Sequence, residues 1–154
     1  MRGNPDMTLA YVMVLIFGCI AAIFDMKTRR IPNKLVLAML ITWLLIIKPK
    51  LVFDTDAALV YLESSALGLL VSGGMFVLVY FLSRKGLGGG DVKFMAVVGL
   101  YMGFGGVISV ILIGSILAAI TGGTLILFKK IRRKDPIPLA PFLLIGIALT
   151  VLLQ

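Results

Sequence analysis

Residues 94–128, FMAVVGLYMGFGGVISVILIGSILAAITGGTLILF, are an uninterrupted apolar run of 35 residues. A helix that crosses a bilayer needs about 20 such residues, so this run is too long for one crossing and tight for two. Gly103-Phe104-Gly105-Gly106 lies toward its middle, and glycine accepts positive φ at little steric cost. The run therefore reads as two helices joined by a turn at these glycines. Four more apolar runs flank it, at residues 8–24, 35–47, 58–82 and 139–153. Together they predict an all-α membrane protein, a bundle of about six transmembrane helices, in a single domain over residues 1–154.

Composition and charge support that division. The chain is 60% hydrophobic and 14% charged, with a mean hydropathy of +1.12, whereas soluble domains carry about a quarter charged residues. Twelve of its 15 basic residues fall in three clusters: Lys27/Arg29/Arg30/Lys34, Arg84/Lys85/Lys93, and Lys129/Lys130/Arg132/Arg133/Lys134. Positive loops stay on the cytoplasmic side. If all three do so, each pair is separated by an even number of crossings, which splits the long run and puts both termini outside. The segment from Lys48 to Asp56, with Pro49 inside it, then reads as an outer loop. The second and fourth spans read as short, absorbed by tilt or local thinning, with a re-entrant segment as the competing reading. The first run has only Arg2 before it and its basic cluster after it, which reads as a retained helix and not a signal peptide.

What is missing narrows the chemistry. With no His, Ser-His-Asp and Cys-His catalysis and histidine metal sites are excluded, and the lone Cys19 forms neither an internal disulfide nor a thiolate metal site. Neither a cofactor nor a metal is expected. The net charge of +8 sits in short clusters between apolar runs, with no basic, aromatic-interleaved face to track a phosphate backbone, so no nucleic-acid partner is expected. Carboxylates are left: Asp6, Asp25, Asp54, Asp56, Glu63, Asp91 and Asp135.

Under the six-helix topology, Asp25 ends helix one and Asp91 starts helix four, at the same cytoplasmic depth. An acid at a membrane boundary is a functional candidate by default; the plainer role for each is to cap a helix or to pair with Lys27, Arg29 or Lys93. Gly88, Gly89 and Gly90 precede Asp91, and such a run permits irregular backbone and the close approach of an extended peptide. The phosphate-loop alternative fails, since no Lys-Ser/Thr follows a correctly spaced glycine. Ile31-Pro32-Asn33 after Asp25 is a stop-and-restart signal. Pro138 and Pro141, three apart, disfavour a regular helical start and leave carbonyls free. Both proline segments fall on the side of the two acids. Glu63, toward the outer side, reads as a helix contact or a snorkelling group, and Gly99 with Gly103 as a packing pair.

Asp25 with Ile31-Pro32-Asn33, then GGGDVKFMAVVGLYMG at residues 88–103, then IPLAPFLLIG at residues 137–146, resemble the type IV prepilin peptidases, membrane proteases of the GxGD type. Gly88-Gly89-Gly90-Asp91 matches the GxGD signature and Lys93 the lysine that usually follows. The resemblance runs from about residue 8 to the end. It departs at Leu139-Ala140, where the family commonly has Phe-Gly. It also lacks the cytoplasmic segment with paired cysteines that large bacterial members carry, so it is to the short form found with Flp or tight-adherence pili. Peptidase activity is implied, and methyltransferase activity is not.

The resemblance implies Asp25 and Asp91 as a catalytic pair sharing a water, one as base and one protonated; two carboxylates brought close do not both ionise readily and titrate as a unit. Ile31, Pro32, Asn33, Gly88, Gly89, Gly90, Lys93, Pro138 and Pro141 would bind substrate or shape the site. The implied partners are the lipid bilayer and a prepilin with a basic leader, a small residue at the cut and a hydrophobic helix, met at the cytoplasmic face of the cell membrane. The basic loops would orient the chain and contact anionic lipid, not attract the leader. A catalytically silent pilus-assembly protein and a small ion-coupled transporter are the alternatives; the second would want acids near the bilayer midplane.

Overall fold

The computed structural model describes residues 5–83, 87–128 and 138–153. They form five helices: α1 (Pro5–Thr28), α2 (Asn33–Phe53), α3 (Thr55–Leu82), α4 (Gly89–Leu127) and α5 (Ala140–Leu153). The first four are long and apolar enough to cross a membrane, and α5 is a shorter apolar helix. Their outward faces are as apolar as their inward ones: Leu45, Leu70 and Ile120 are each at least 60% exposed. Helices that are hydrophobic all round need lipid for the surface their neighbours leave uncovered.

The fourth helix supplies the missing pass. At Gly103 the backbone takes φ 65° and ψ −177°, the only positive φ among the described glycines. The amide of Phe104, released by this break, donates to Ser64 Oγ at 3.2 Å. Residues 104–127 then return beside α5, with Gly114 packed on Leu143 and Gly146 on the Val110 carbonyl. Because α5 starts against Asp25, residue 114 is nearer that end of the bundle than residue 110, so the chain has reversed. Five helices thus make six passes, and the turn falls where the glycines predicted it.

Close packing of backbones fixes the middle of the bundle. Gly68 of α3 and Gly99 of α4 each face the other's carbonyl where a Cβ would sit. Between them Ser72 Oγ bonds the Gly68 carbonyl at 2.7 Å and the Met95 carbonyl at 2.9 Å. In lipid, where apolar burial gives little drive, such small-residue contacts and interhelical hydrogen bonds hold helices together. Trp43 Nε1 donates to the Leu100 carbonyl at 3.0 Å, and Tyr101 Oη to the Met39 carbonyl at 2.7 Å, tying α2 to α4.

One expectation is corrected. The outer loop read at Lys48–Asp56 is helical except at Asp54, and α2 runs through Pro49 to a full 21 residues. Proline forfeits one backbone hydrogen bond and crowds the carbonyl four residues earlier, but here it lies within about a turn of the helix end. Asp54 then caps the next helix, its Oδ1 accepting from Ala57 N–H at 3.2 Å. The second span is therefore neither short nor re-entrant. Residues 89–102 and α5 stay short, about 21 Å each at 1.5 Å per residue. Of the basic clusters, Arg84, Lys85 and Lys129–Lys134 lie outside the described residues, as do Asp135 and Ile137; the helix ends flanking all three clusters sit at the Asp25 end.

Candidate active site

Asp25 lies in the last turn of α1 and is 4% exposed. Its Oδ2 accepts a hydrogen bond from Ala140 N–H at 2.9 Å, so a carboxylate on the first helix caps the last one across 115 positions. The local sequence of α5 explains why that amide is available. The first amides of a helix have no intrahelical acceptor, and Pro141, in the first turn, has no N–H to offer. Leu139 accepts from Phe142 and Leu143 at 3.1 and 3.2 Å, so a regular helix starts between the two prolines. The expectation of an irregular start with free carbonyls is thus corrected: the segment offers a donor to Asp25.

Asp91 is half-buried in the first turn of α4, and its Oδ2 accepts from Gly88 N–H at 3.1 Å. Asp25 lies at this same end of the bundle. Each carboxylate therefore has one oxygen held by a backbone amide, while its Oδ1 makes no hydrogen bond among the described residues. Both acids do cap helices, the plainer role weighed for them. The caps also hold the two carboxylates in fixed orientation at one end of the bundle.

A cleft of about 510 Å3 opens beside Asp91, lined by Arg29, Arg30, Ile31, Pro32, Asn33, Gly88, Gly89, Gly90, Asp91 and Lys93. Eight of these ten are candidates from sequence. Pro32 ends the α1–α2 connection in extended conformation, φ −69° and ψ 137°, and its carbonyl accepts from Leu35 N–H at 3.0 Å. Asn33 opens α2, and its Oδ1 accepts from Lys93 Nζ at 3.2 Å, which joins the proline turn to the Asp91 helix. Ile31 is buried, and a Cβ on Gly90 would come within 2.7 Å of its carbonyl.

The glycine run works differently from its sequence reading. Gly89 and Gly90 are helical, and only Gly88 is extended, at φ −73° and ψ 139°. The close approach that Gly90 permits is to Ile31 of the same chain, and Gly88 leaves room for the Asp91 carboxylate, 2.9 Å from where its Cβ would be. Pro138 and Pro141 do not line the cleft; they act through α5 and Ala140. Sequence reasoning missed the Ala140 amide and the two arginines. Arg29 has a positive φ of 52°, an uncommon state outside glycine, and its N–H closes α1 on the Asp25 carbonyl at 2.8 Å. Glu63 is exposed on α3, away from this end.

The sequence model of the type IV leader peptidase family matches residues 12–123, a stretch that holds both aspartates, the proline turn and the glycine run. The chain is 29% identical over 150 residues to a prepilin leader peptidase/N-methyltransferase of Xanthomonas campestris, across 94% of this chain and 48% of that protein. Proteins of the same description from Stutzerimonas stutzeri and Bacillus subtilis are 28% identical over 141 residues and 24% over 127. These alignments take in 88% and 82% of this chain, and 46% and 48% of the relatives. The chain therefore spans about half the length of the curated relatives it matches. No solved structure matches it.

Proposed function

We propose that this chain, which belongs to the type IV leader peptidase family, is a membrane aspartyl endopeptidase with Asp25 and Asp91 as its catalytic pair. One observation supports the reading: two carboxylates from distant helices lie at the same end of a lipid-embedded bundle, each with one oxygen held by a backbone amide. The oxygens left over are the natural ligands of a shared water. One aspartate takes a proton from that water as its oxygen attacks the scissile carbonyl carbon. The other, protonated, donates a hydrogen bond to the carbonyl oxygen. As the tetrahedral intermediate collapses, the C–N bond breaks and the amine leaves with a proton from the pair. A transporter would want its acids at the midplane, and these sit at an end.

The substrate in this reading is a type IV prepilin or Flp-type precursor, cut between its basic leader and its hydrophobic helix at the cytoplasmic face of the cell membrane. The cleft, bordered by Pro32, Asn33, Gly88, Gly89 and Lys93, takes the extended residues at the cut, while the hydrophobic helix stays in the bilayer. Arg29, Arg30 and Lys93 make the cleft mouth positive, so attraction to this rim does not bring in a basic leader; shared residence in the membrane does. Residues 1–154 act as one peptidase unit.

The test is reconstitution. The purified chain in liposomes is incubated with a prepilin bearing Gly at the cleavage point, and the products are weighed by mass spectrometry. The expected product is the prepilin shortened by its leader at that Gly. Intact prepilin after incubation with demonstrably folded protein contradicts the proposal.

A further inference from the structure

A second cavity, of about 420 Å3, opens at the end of the bundle opposite Asp25 and Asp91, with Tyr11, Lys50, Tyr61, Ser64 and Tyr101 in its walls. Lys50 is its unusual member. A lysine near a helix end in a membrane normally snorkels, burying its stem and sending the ammonium to water. Lys48, two residues earlier on α2, is exposed in this way, whereas Lys50 is only 8% exposed. Its ammonium lies 4.8 Å from the centre of the Tyr61 ring. No carboxylate pairs with it among the described residues, and Asp54, the nearest acid in sequence, caps α3.

A buried cation with no anion among the described residues is costly, and a cation–π contact offsets only part of that. The cavity beside Lys50 leaves room for an anion. The cavity is bordered on its outer side by an apolar residue, Val60, 69% exposed. A polar floor holding one positive charge, beside an apolar border at membrane-interface depth, matches a phosphate head with acyl chains attached.

We propose that this cavity binds the headgroup phosphate of an anionic phospholipid from the leaflet opposite the Asp25–Asp91 site, with Lys50 as its charge partner. The proposal needs only the membrane bundle and stands whether or not the chain cuts prepilin.

The full chain, purified in a neutral detergent and stripped of lipid, is titrated with phosphatidylglycerol, phosphatidylcholine or inorganic phosphate and followed by native mass spectrometry. One phosphatidylglycerol is expected to bind at least about tenfold more tightly than phosphatidylcholine. Lys50→Gln should weaken it about tenfold or more, as for loss of a hydrogen bond to a charged group, while Lys50→Arg and Lys48→Gln keep it. If Lys50→Gln misfolds, the preference of the parent chain for phosphatidylglycerol over phosphatidylcholine and over inorganic phosphate decides the matter. Equal binding of the two lipids, unchanged affinity in a folded Lys50→Gln, or capture of inorganic phosphate as tightly as of lipid would each overturn the proposal.

Discussion

Replacing Asp25 by Ala and by Asn separates its structural role from its chemical one. In the Ala variant the Ala140 amide loses its acceptor, now at 2.9 Å. Ala140 is 1% exposed, so its amide has little access to bulk water, and an orphaned buried N–H costs about 1–3 kcal/mol. Asn keeps a carbonyl oxygen at the same reach and loses only the charge assistance, about 1 kcal/mol or less given that charged bonds are roughly twice as strong as neutral ones. Asp25→Ala should therefore be less stable than Asp25→Asn by about 1–2 kcal/mol. For a chain of this size that is a melting temperature lower by about 2–8 °C. At Asp91 the same pair should differ by less, under about 1 kcal/mol, because the Gly88 amide is exposed and water can replace the carboxylate. Unfolding of the four purified variants in detergent, followed by circular dichroism, reads both differences. Equal melting of Asp25→Ala and Asp25→Asn, or a larger gap at Asp91 than at Asp25, refutes the proposed role of Asp25 in holding α5.

The glycines give two further paired tests. Gly99→Ala drives a methyl into the Gly68 backbone and should destabilise by about 1–3 kcal/mol or more, whereas Gly74→Ala meets nothing within 4 Å and should melt at or above the parent temperature. Gly90→Ala places a Cβ 2.7 Å from the Ile31 carbonyl, while Gly89→Ala again meets nothing within 4 Å. The first should lower the melting temperature and loosen protease protection of the α1–α2 connection, and the second should do neither. Gly103→Ala combines a positive φ with a Cβ 2.6 Å from Ser64 Oγ and should cost at least about 1–2 kcal/mol, read by the same melts.

The reversal at Gly103 and the shared end of Asp25 and Asp91 were legible because each follows from a counting argument. Apolar length fixes how many crossings fit, charge parity fixes their direction, and a glycine cluster marks where the chain turns. The Asp25–Ala140 cap was not legible, since its partners are 115 positions apart and Pro138 with Pro141 reads locally as a source of free carbonyls. The use of Gly90 against Ile31 was hidden for the same reason: a glycine states that something comes close but not what. Pro49 misled through a local rule, because a proline near a helix end costs less than packing against neighbours returns. Lys50 followed it into the wrong reading, as an outer-loop lysine, and its burial emerges only once α2 is continuous.

The proposal that Asp25 and Asp91 act as one catalytic unit is tested by the cleavage rate of a prepilin by Asp25→Asn and Asp91→Asn. Both keep their caps, so both should fold and bind substrate as the parent does. Each should be slower by about 10²–10⁴-fold or more, the usual contribution of a positioned acid or base, and the double variant no slower than the worse single one, since residues that act as a unit are not additive. Either single variant cutting at a rate within about tenfold of the parent, below the smallest effect expected of such a group, would contradict the claim.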